Sequence, residues 1–429
     1  MTTDRFLPDL PDDKLARIQL EGLRWTVGHA MNNAVYAERL KKAGVSGPED
    51  IHSLEDLQRL PFTTVEDLRD GYPLPLLCVP EKDIVRIHAS SGTTGKRKVL
   101  AYTANDTANF ALQMARCYEM AGLTKEDRIQ IAVGYGLWTA GAGFQAGSEL
   151  FGAFTIPIGP GNLDMQLQLM KDLKSTCIGC TASMALLLAE EVERKGLRDS
   201  LSLKKIIFGS EPHSLKMRQA FTEKLGVEHT YDIAGMTEMY GPGTGLNCDE
   251  CDGIHYWADL FIHEIVDPHT LKPVPDGEVG ELVVTSLRKE AVPLIRYRTH
   301  DLTRIVPGQC ACGRRIPRHG HIRGRSDDMI IYRGVNIYPG QLSDVLNGFA
   351  DVGGEYHVEL TRSEGLDYMA MKVERAGGVS SDNDKNLAQA VSMELHKRIM
   401  ARISVEIVDP GTLPRAFGKS KRVTDNRLE

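Results

Sequence analysis

Across the middle of the chain, the sequence alternates between two hydrophobic patterns. Segments 129–133, 205–208 and 280–285 are apolar and strand-like, whereas segments 166–174 and 184–194 have helical periodicity. This alternation predicts an α/β fold with mixed sheets sandwiched between helices, and it argues against an all-β or all-α chain. A chain of 429 residues is long enough for two or three domains, each with its own core.

The N-terminal part is predicted to be helical. Apolar residues recur at helical spacing through 12–45, and no proline interrupts them. Ser53 and Thr64 each stand three positions before an acidic residue, which is the pattern of a capped helix start. We therefore expect a helical arm followed by two short helices.

The last hundred residues have a different pattern. Segments 356–361 and 368–374 alternate like strands, 387–403 carries apolar residues every four positions, and 405–408 is strand-like again. This predicts a small α+β domain. The charged segment 323–328 precedes it, and we place a domain boundary or hinge there.

Charge and composition exclude several classes of partner. The formal charge is −7, which gives no electrostatic reason to expect nucleic acid or an anionic membrane as a partner. Segment 1–14 has no apolar run of signal-peptide length, and the longest apolar run, 129–144, is interrupted by glycines. We therefore expect a cytoplasmic protein that acts on small molecules or proteins.

The strongest chemical motif is the segment 88–98, with the sequence HASSGTTGKRK, which follows a predicted strand at 83–87. Its glycines allow backbone amides to approach an anion, its hydroxyls can donate to phosphate oxygens, and Lys96 adds positive charge. Only two residues separate Gly92 from Gly95, so the loop is not a Walker A motif. The pattern predicts a polyphosphate-binding loop, with an ordinary polar turn as the alternative.

This loop resembles that of the adenylate-forming superfamily, which includes acyl- and aryl-CoA synthetases. Five further segments resemble motifs of that superfamily in the expected order: 208–212 (FGSEP), 231–238 (YDIAGMTE), 297–301 (YRTHD), 324–328 (GRSDD) and 413–419 (LPRAFGK). Within the superfamily, the chain is most similar to phenylacetate-CoA ligases, in segments such as 60–64 (LPFTT), 135–139 (YGLWT) and 330–336 (IIYRGVN). Arg97 and Lys98 depart from the Pro-Thr that is more usual in that family, and Trp138 and Gln145 stand where related sequences often carry Phe and His.

The resemblance implies an AMP-forming aryl-CoA ligase that consumes ATP with magnesium and transfers the acyl group to coenzyme A. Thr237 would contact the α-phosphate, Glu238 would bind Mg²⁺, and Lys419 would bridge the carboxylate and the α-phosphate. The other implied ATP or AMP contacts are Ser90, Ser91, Gly92, Thr93, Thr94, Gly95, Lys96, Gly209, Ser210, Glu211, Pro212, Tyr231, Asp232, Asp301 and Arg325. The resemblance also implies a homodimer and a hinge at Asp327, which would separate an N-terminal domain, 1–326, from a mobile C-terminal domain, 327–429.

The walls of an acid pocket are suggested by aromatic residues and glycines, which could form a flat slot for an aryl ring. The candidates are Tyr135, Trp138, Phe144, Ala234, Gly235 and Met236. For each of them, an ordinary core position is the alternative. None of them identifies the substituents of the ring.

Two groups of soft ligands suggest a structural zinc site. Cys248 and His255 stand about sixty residues before Cys310 and Cys312, and similar cysteines occur in a subset of phenylacetate-CoA ligase-like proteins. Alternative ligands are Cys251, His319 and His321, and free thiols in loops are the alternative to a metal site. Cys177 and Cys180 also form a CxxC pair, but they lie in an apolar segment and are expected to be buried.

Three other functions compete with this interpretation. Segment 141–146 formally matches the GxGxxA pattern of dehydrogenases, although no acidic residue is well placed to bind a ribose. A closer alternative is an adenylating enzyme that transfers the acyl group to an amine or a carrier-protein thiol. A non-catalytic binding protein is disfavoured because Glu238, Asp301 and Lys419 are all present.

Overall fold

The computed structural model describes residues 5–90, 97–211, 213–250, 253–333, 335–363, 366–414 and 422–427. The helices among these residues are α1 Asp12–Ala30, α2 Ala34–Lys42, α3 Val65–Asp70, α4 Ala104–Met120, α5 Thr139–Phe151, α6 Leu163–Asp172, α7 Ala182–Lys195, α8 Leu215–Leu225, α9 Pro339–Leu346 and α10 Asp384–Ile399.

The strands among them are β1 Arg86–Ala89, β2 Val99–Tyr102, β3 Arg128–Ile131, β4 Phe154–Pro157, β5 Cys177–Thr181, β6 Lys205–Gly209, β7 His229–Met236, β8 Gly241–Leu246, β9 Ile254–Tyr256, β10 Phe261–Val266, β11 Gly280–Ser286, β12 Tyr297–Thr303, β13 Ile305–Val306, β14 Arg318–His319, β15 Ile330–Tyr332, β16 Val335–Ile337, β17 Val352–Ser363, β18 Leu366–Arg375, β19 Ser404–Val408 and β20 Val423–Asp425. The predicted mixture of strands and helices is confirmed.

The helical arm is two helices rather than one. The chain leaves helical geometry after Ala30, and the Asn33 side chain accepts hydrogen bonds from the Val35 and Tyr36 N–H groups, so it caps a new helix. The two short helices begin after Ser53 and Thr64 as predicted, although the first of them is a 3-10 helix.

Backbone contacts group the chain into two compact units. The first comprises Met1–Gly159, Ser175–Gly179 and Tyr231–His321. It contains the parallel arrangement β4-β3-β5, the antiparallel series β7-β8-β9-β14-β13, the antiparallel sheet β10-β11-β12 and the hairpin β1-β2. Helices α4 and α5 pack on each other and on β8, so two apolar helices cover the sheet that carries much of the predicted site.

The second unit comprises Pro160–Lys174, Cys180–Thr230 and Ile322–Glu429. Its last part has the α+β pattern expected from the sequence, with strand order β19-β18-β17-β20 and helices α9 and α10 packed on each other. The Lys216 ammonium donates to the Val352 carbonyl oxygen at 2.8 Å, which joins α8 to β17. The boundary at Asp327 stays a prediction.

The structure also decides between alternatives left open by the sequence. The GxGxxA segment lies within α5, whereas a dinucleotide-binding motif needs its glycines in a turn between a strand and a helix. The dehydrogenase alternative is therefore wrong. Cys177 and Cys180 are buried in β5, as predicted. No helix in the described ranges has both the length and the apolar content that a membrane span requires.

Candidate active site

Glu238, the predicted magnesium ligand, is a buried carboxylate. It lies in the short 3-10 helix Thr237–Met239 after β7, and its side chain is 6% exposed. Its Oε1 atom accepts hydrogen bonds from Lys98 Nζ at 2.5 Å and from the Tyr297 hydroxyl at 2.9 Å. Burial alone would raise the pKa of this carboxyl, but the charge and hydrogen bond of Lys98, together with Tyr297, hold it below its usual value. Glu238 is therefore ionised, with a cation already beside it.

Two residues support this part of the site and have no motif that would reveal them. The Tyr102 hydroxyl donates to the Thr237 carbonyl oxygen at 2.8 Å, which holds the turn that carries Glu238. Lys289 is fully buried, and its Nζ donates to the Val292 carbonyl oxygen and lies 5.2 Å from the centre of the Tyr102 ring. Burial lowers the pKa of Lys289. Tyr102 thus contacts both the buried Lys289 and the turn that carries Glu238.

The predicted phosphate loop connects the two strands of a hairpin. Strands β1 and β2 are antiparallel, and the Ser90 N–H donates to the Lys98 carbonyl oxygen at 3.1 Å. The two ends of the loop therefore lie next to each other. The Ser90 hydroxyl is buried and has no hydrogen-bond partner within the described ranges. The remaining predicted phosphate contacts, Ser91, Gly92, Thr93, Thr94, Gly95 and Lys96, lie outside the described residues.

Two predicted residues of the acid pocket, Tyr135 and Trp138, belong to a segment that contacts this hairpin. The Ala89 N–H donates to the Leu137 carbonyl oxygen at 2.8 Å, which brings the segment before α5 to the end of β1. Tyr135 is 37% exposed, and the Trp138 ring lies so close to Gly134 that a Cβ there would be 2.8 Å from it. The glycine thus leaves room for the indole ring.

Phe144, another predicted wall of the acid pocket, is 2% exposed. Its ring makes an edge contact with Tyr118 and covers Gly179, where a Cβ would lie 2.4 Å from the ring. This is the environment of a core residue, which was the alternative interpretation of its position.

The remaining predicted pocket residues end strand β7. Ala234 and Met236 are half-buried, and Gly235 is exposed. The pairing of β7 with β8 shifts register between Ala234 and Gly235, and a Cβ on Gly235 would lie 2.6 Å from the Pro242 Cα. A side chain cannot be accommodated there, because the backbone of β8 packs against this glycine.

Three predicted nucleotide contacts lie in the first unit. The Tyr231 hydroxyl donates to the Asp249 carboxylate at 2.7 Å. The Asp232 carboxylate contacts His321 Nδ1 at 3.0 Å. Asp301 lies half-buried in β12, the strand that also carries Tyr297.

The other predicted adenine contacts lie in the second unit, after β6. Gly209 ends the strand, Ser210 has a left-handed backbone with φ 71°, and the Glu211 carboxylate accepts the Ser183 N–H at 2.6 Å. The strained turn at Ser210 is a feature that often occurs at binding sites. Pro212 lies outside the described residues.

The predicted hinge contains a local ion pair. Arg325 Nε and one terminal nitrogen each donate to the Asp327 carboxylate at 2.8 Å. The aspartate is 45% exposed, so this pair contributes little to stability. Lys419, the predicted adenylation lysine, lies outside the described residues.

The structure brings four of the soft-ligand candidates together. Potential ligand atoms of Cys248, His255, Cys310 and Cys312 all lie within 4.8 Å of one another. The sulfurs of Cys248 and Cys310 are 3.6 Å apart, as are Cys312 Sγ and His255 Nε2. A tetrahedral zinc site with Zn–S near 2.3 Å and Zn–N near 2.05 Å has ligand separations of about 3.6–3.8 Å. Two of the six pairs in the cluster therefore already have the separation of ligands in a closed zinc site.

The orientation of His255 also suits a metal ligand. Its Nδ1 lies 2.8 Å from the Ile316 carbonyl oxygen, which fixes the proton on Nδ1 and leaves the Nε2 lone pair facing the cysteines. His319 and His321 are engaged elsewhere, with the Gly320 carbonyl oxygen and with Asp232 respectively. Cys251 lies outside the described residues.

Two family models match most of the chain. The model of AMP-binding enzymes matches residues 25–287, and the model of the AMP-binding enzyme C-terminal domain matches residues 334–427. The second match falls on the small α+β part of the chain.

The chain is also similar to characterised enzymes over nearly its whole length. Phenylacetate-coenzyme A ligase of Escherichia coli is 42% identical over 97% of this chain and 95% of that protein. Phenylacetate-coenzyme A ligase of Thermus thermophilus is 40% identical over 98% of both. A crystal structure of 2-hydroxyisobutyryl-CoA ligase in the postadenylation state, in complex with 2-HIB-AMP, superimposes with a TM-score of 0.88 at 28% identity, covering 98% of this chain and 91% of the other.

Proposed function

We propose a function from one premise: the chain belongs to the phenylacetate-CoA ligase family of AMP-binding enzymes. It is an AMP-forming ligase that joins an aromatic carboxylic acid to coenzyme A through an acyl-adenylate. The observation in the structure that carries this proposal is the buried, ionised Glu238 beside the two ends of the phosphate-loop hairpin. A dry, fixed negative charge at that position suits the cation that accompanies a polyphosphate.

The reaction has two half-reactions because a carboxylate is a poor electrophile. In the first, a carboxylate oxygen of the acid attacks the α-phosphorus of ATP, and pyrophosphate leaves. In the second, the coenzyme A thiol attacks the acyl carbon, loses its proton and expels AMP. The enzyme contributes mainly positioning and charge neutralisation in both.

Glu238 is the proposed magnesium ligand, with Thr237 beside it at the α-phosphate. The donor set fits, because a carboxylate oxygen is the ligand that Mg²⁺ prefers and this one is ionised although buried. When bound, the ion neutralises charge on the phosphate oxygens. Tyr297 and Tyr102 hold Glu238 and the Thr237 carbonyl group in place, so these side chains keep the carboxylate oriented.

The other predicted contacts complete the proposal. Segment 90–96 would hold the terminal phosphates, Asp301 the ribose, and Gly209 to Pro212 with Tyr231 the adenine. Tyr135 and Trp138 would line the acid pocket, and Leu137 between them accepts the Ala89 N–H of the phosphate hairpin. We place the enzyme in the cytoplasm as a homodimer, for which sedimentation velocity is the test.

A structural zinc ion is part of the proposal. The proximity of Cys248, His255, Cys310 and Cys312, with two pairs at 3.6 Å, supports it, and four protein ligands leave no position for a substrate. When bound, the ion would join the loop before β9 to the loop that carries Cys310 and Cys312. Metal analysis of protein purified without chelators should give about one zinc per chain.

The function is tested by measuring AMP release from MgATP with a panel of aryl, indolyl and short aliphatic acids, with and without coenzyme A, and detecting thioester by mass. AMP with a thioester of an aromatic acid supports the proposal. Pyrophosphate exchange without thioester would instead indicate another acyl acceptor. No AMP release and no pyrophosphate exchange with any acid would contradict the proposed activity.

The role of Lys419 has a separate test. We expect Lys419→Ala to abolish adenylation, because its ammonium would neutralise charge on the α-phosphate. Thioester formation from supplied acyl-AMP should be largely retained, since rotation at Asp327 would withdraw the lysine for that step. Equal losses in both half-reactions would contradict this role.

A further inference from the structure

Lys98 ends the segment that contains the predicted phosphate loop, and its position in the structure gives it a role. It is the residue just before β2, and its carbonyl oxygen accepts the Ser90 N–H, so its backbone is fixed where the phosphate loop closes. Its ammonium lies 2.5 Å from Glu238 Oε1, and its side chain is 19% exposed. The lysine therefore extends from the end of the phosphate loop to the proposed cation ligand.

A buried carboxylate needs a positive charge nearby, because desolvation strongly disfavours its ionised form. Lys98 supplies this charge in the absence of nucleotide, and Tyr297 donates a second hydrogen bond to the same oxygen. A divalent cation at Glu238 would lie within a few ångströms of the Lys98 ammonium. The two positive charges would repel each other strongly, because a buried site screens charges poorly. Ammonium and divalent cation thus compete for one carboxylate.

We propose that Lys98 is a positioning residue that occupies the place of the divalent cation at Glu238 until the metal–nucleotide complex binds, and is then displaced from it. This inference rests on the proposed function, since it takes Glu238 as the cation ligand. The pairing of Lys98 with Glu238 has two opposite consequences, one for the stability of the fold and one for binding of the cation. Without metal, Lys98 stabilises the fold by neutralising Glu238; with metal and nucleotide, it weakens binding of the cation.

The test uses Mn²⁺ in place of Mg²⁺, and α,β-methylene ATP, which cannot transfer its adenylyl group to the acid. Mn²⁺ binding to the full-length protein with this nucleotide is measured by electron paramagnetic resonance. We expect Lys98→Met, which keeps the length of the side chain but removes its charge, to bind Mn²⁺ about tenfold more tightly than the wild type. Lys98→Arg retains the charge and should stay close to the wild type, and Lys82→Met, at an exposed lysine before β1, is the matched control.

Thermal unfolding provides the second readout. Without metal, Lys98→Met should melt at a lower temperature than the wild type, and the increase in melting temperature on adding Mn²⁺ and the nucleotide should be larger. The double variant Lys98→Met/Glu238→Gln should recover stability without metal, because no charge is then left buried alone. If Lys98→Met does not fold, this recovery and the Lys98→Arg variant still test the pairing.

The outcomes separate this inference from the proposed function. Unchanged or weaker Mn²⁺ binding in Lys98→Met, while the wild type binds Mn²⁺ and loses it in Glu238→Gln, would overturn the role of Lys98 and leave the proposed function standing. Failure of the wild type to bind Mn²⁺ with the nucleotide would overturn both.

Discussion

Two clusters in the first unit are the proposed cation sites, and their ligands differ in charge and in what neutralises them. At Glu238 the ligand is a hard carboxylate that is ionised and already paired with Lys98. At the cysteine cluster the ligands are thiols and an imidazole, and burial raises the pKa of the Cys248 thiol to about 12. The carboxylate site is thus charged and paired with Lys98 before a cation arrives, whereas a metal at the thiol site would displace thiol protons. The first suits a cation that comes and goes with substrate, and the second suits one that stays.

The largest effect should come from the carboxylate site. We expect Glu238→Gln to lower the rate of ATP–pyrophosphate exchange about 1,000-fold, because the amide is nearly isosteric but has no charge for the cation. Glu278→Gln, at an exposed glutamate in the same unit, should leave the rate unchanged. Exchange within a few-fold of the wild type in Glu238→Gln would remove Glu238 from the chemistry.

The thiol site should affect stability rather than catalysis. We expect Cys312→Ser to lose the proposed zinc and to lower the melting temperature by roughly 8 °C, because the ion would cross-link two loops of the unit. Cys117→Ala removes a buried thiol outside the cluster and should keep one zinc per chain. Both variants are compared by metal analysis and calorimetry, and a Cys312→Ser protein that retains its zinc would show that the cluster is not the site.

A variant of Tyr297 tests the orientation of the Glu238 carboxylate without changing its charge. We expect Tyr297→Phe to reduce pyrophosphate exchange about fivefold, because it removes one hydrogen bond to Glu238 Oε1 but leaves Lys98 in place. The KM for MgATP should rise with little change in the melting temperature. A loss as large as that of Glu238→Gln would instead assign Tyr297 a direct role at the substrate.

We expect the smallest effect at Glu281, a carboxylate whose positively charged partners are side chains of the protein itself. Glu281 in β11 is paired with Arg298, near His300, and these contacts outweigh burial and lower its pKa to about 2. Because the pKa is depressed in the folded protein, this pair contributes its full stability above pH 4.5 and loses it as the pH falls towards about 2. Glu281→Gln should therefore reduce the loss of stability in that window, measured by urea unfolding. An unchanged pH dependence would show that the pair contributes nothing.

The parts of the fold that the sequence predicted are those with local signals. Spacing and periodicity alone predict the helices that begin after Ser53 and Thr64, strand β6 and the small C-terminal α+β part. The break between α1 and α2 was missed because the apolar spacing continues across it, while the cap that restarts the helix is a single asparagine side chain. Phe144 was a candidate pocket residue, and only its contacts with Tyr118 and Gly179 give it the environment of the core.

The sequence by itself determined the family and the order of the motifs, because these depend on which residues follow one another in short segments. Only the tertiary structure decided which distant residues meet. Lys98 and Glu238 are 140 positions apart, and Cys248 and Cys310 are 62 apart. A motif records the residues that a local turn needs, whereas the partner of a buried charge or thiol depends on how strands and loops pack. The pairing of Lys98 with Glu238 and the proximity of the four candidate ligands in the cysteine cluster were therefore decided by the fold.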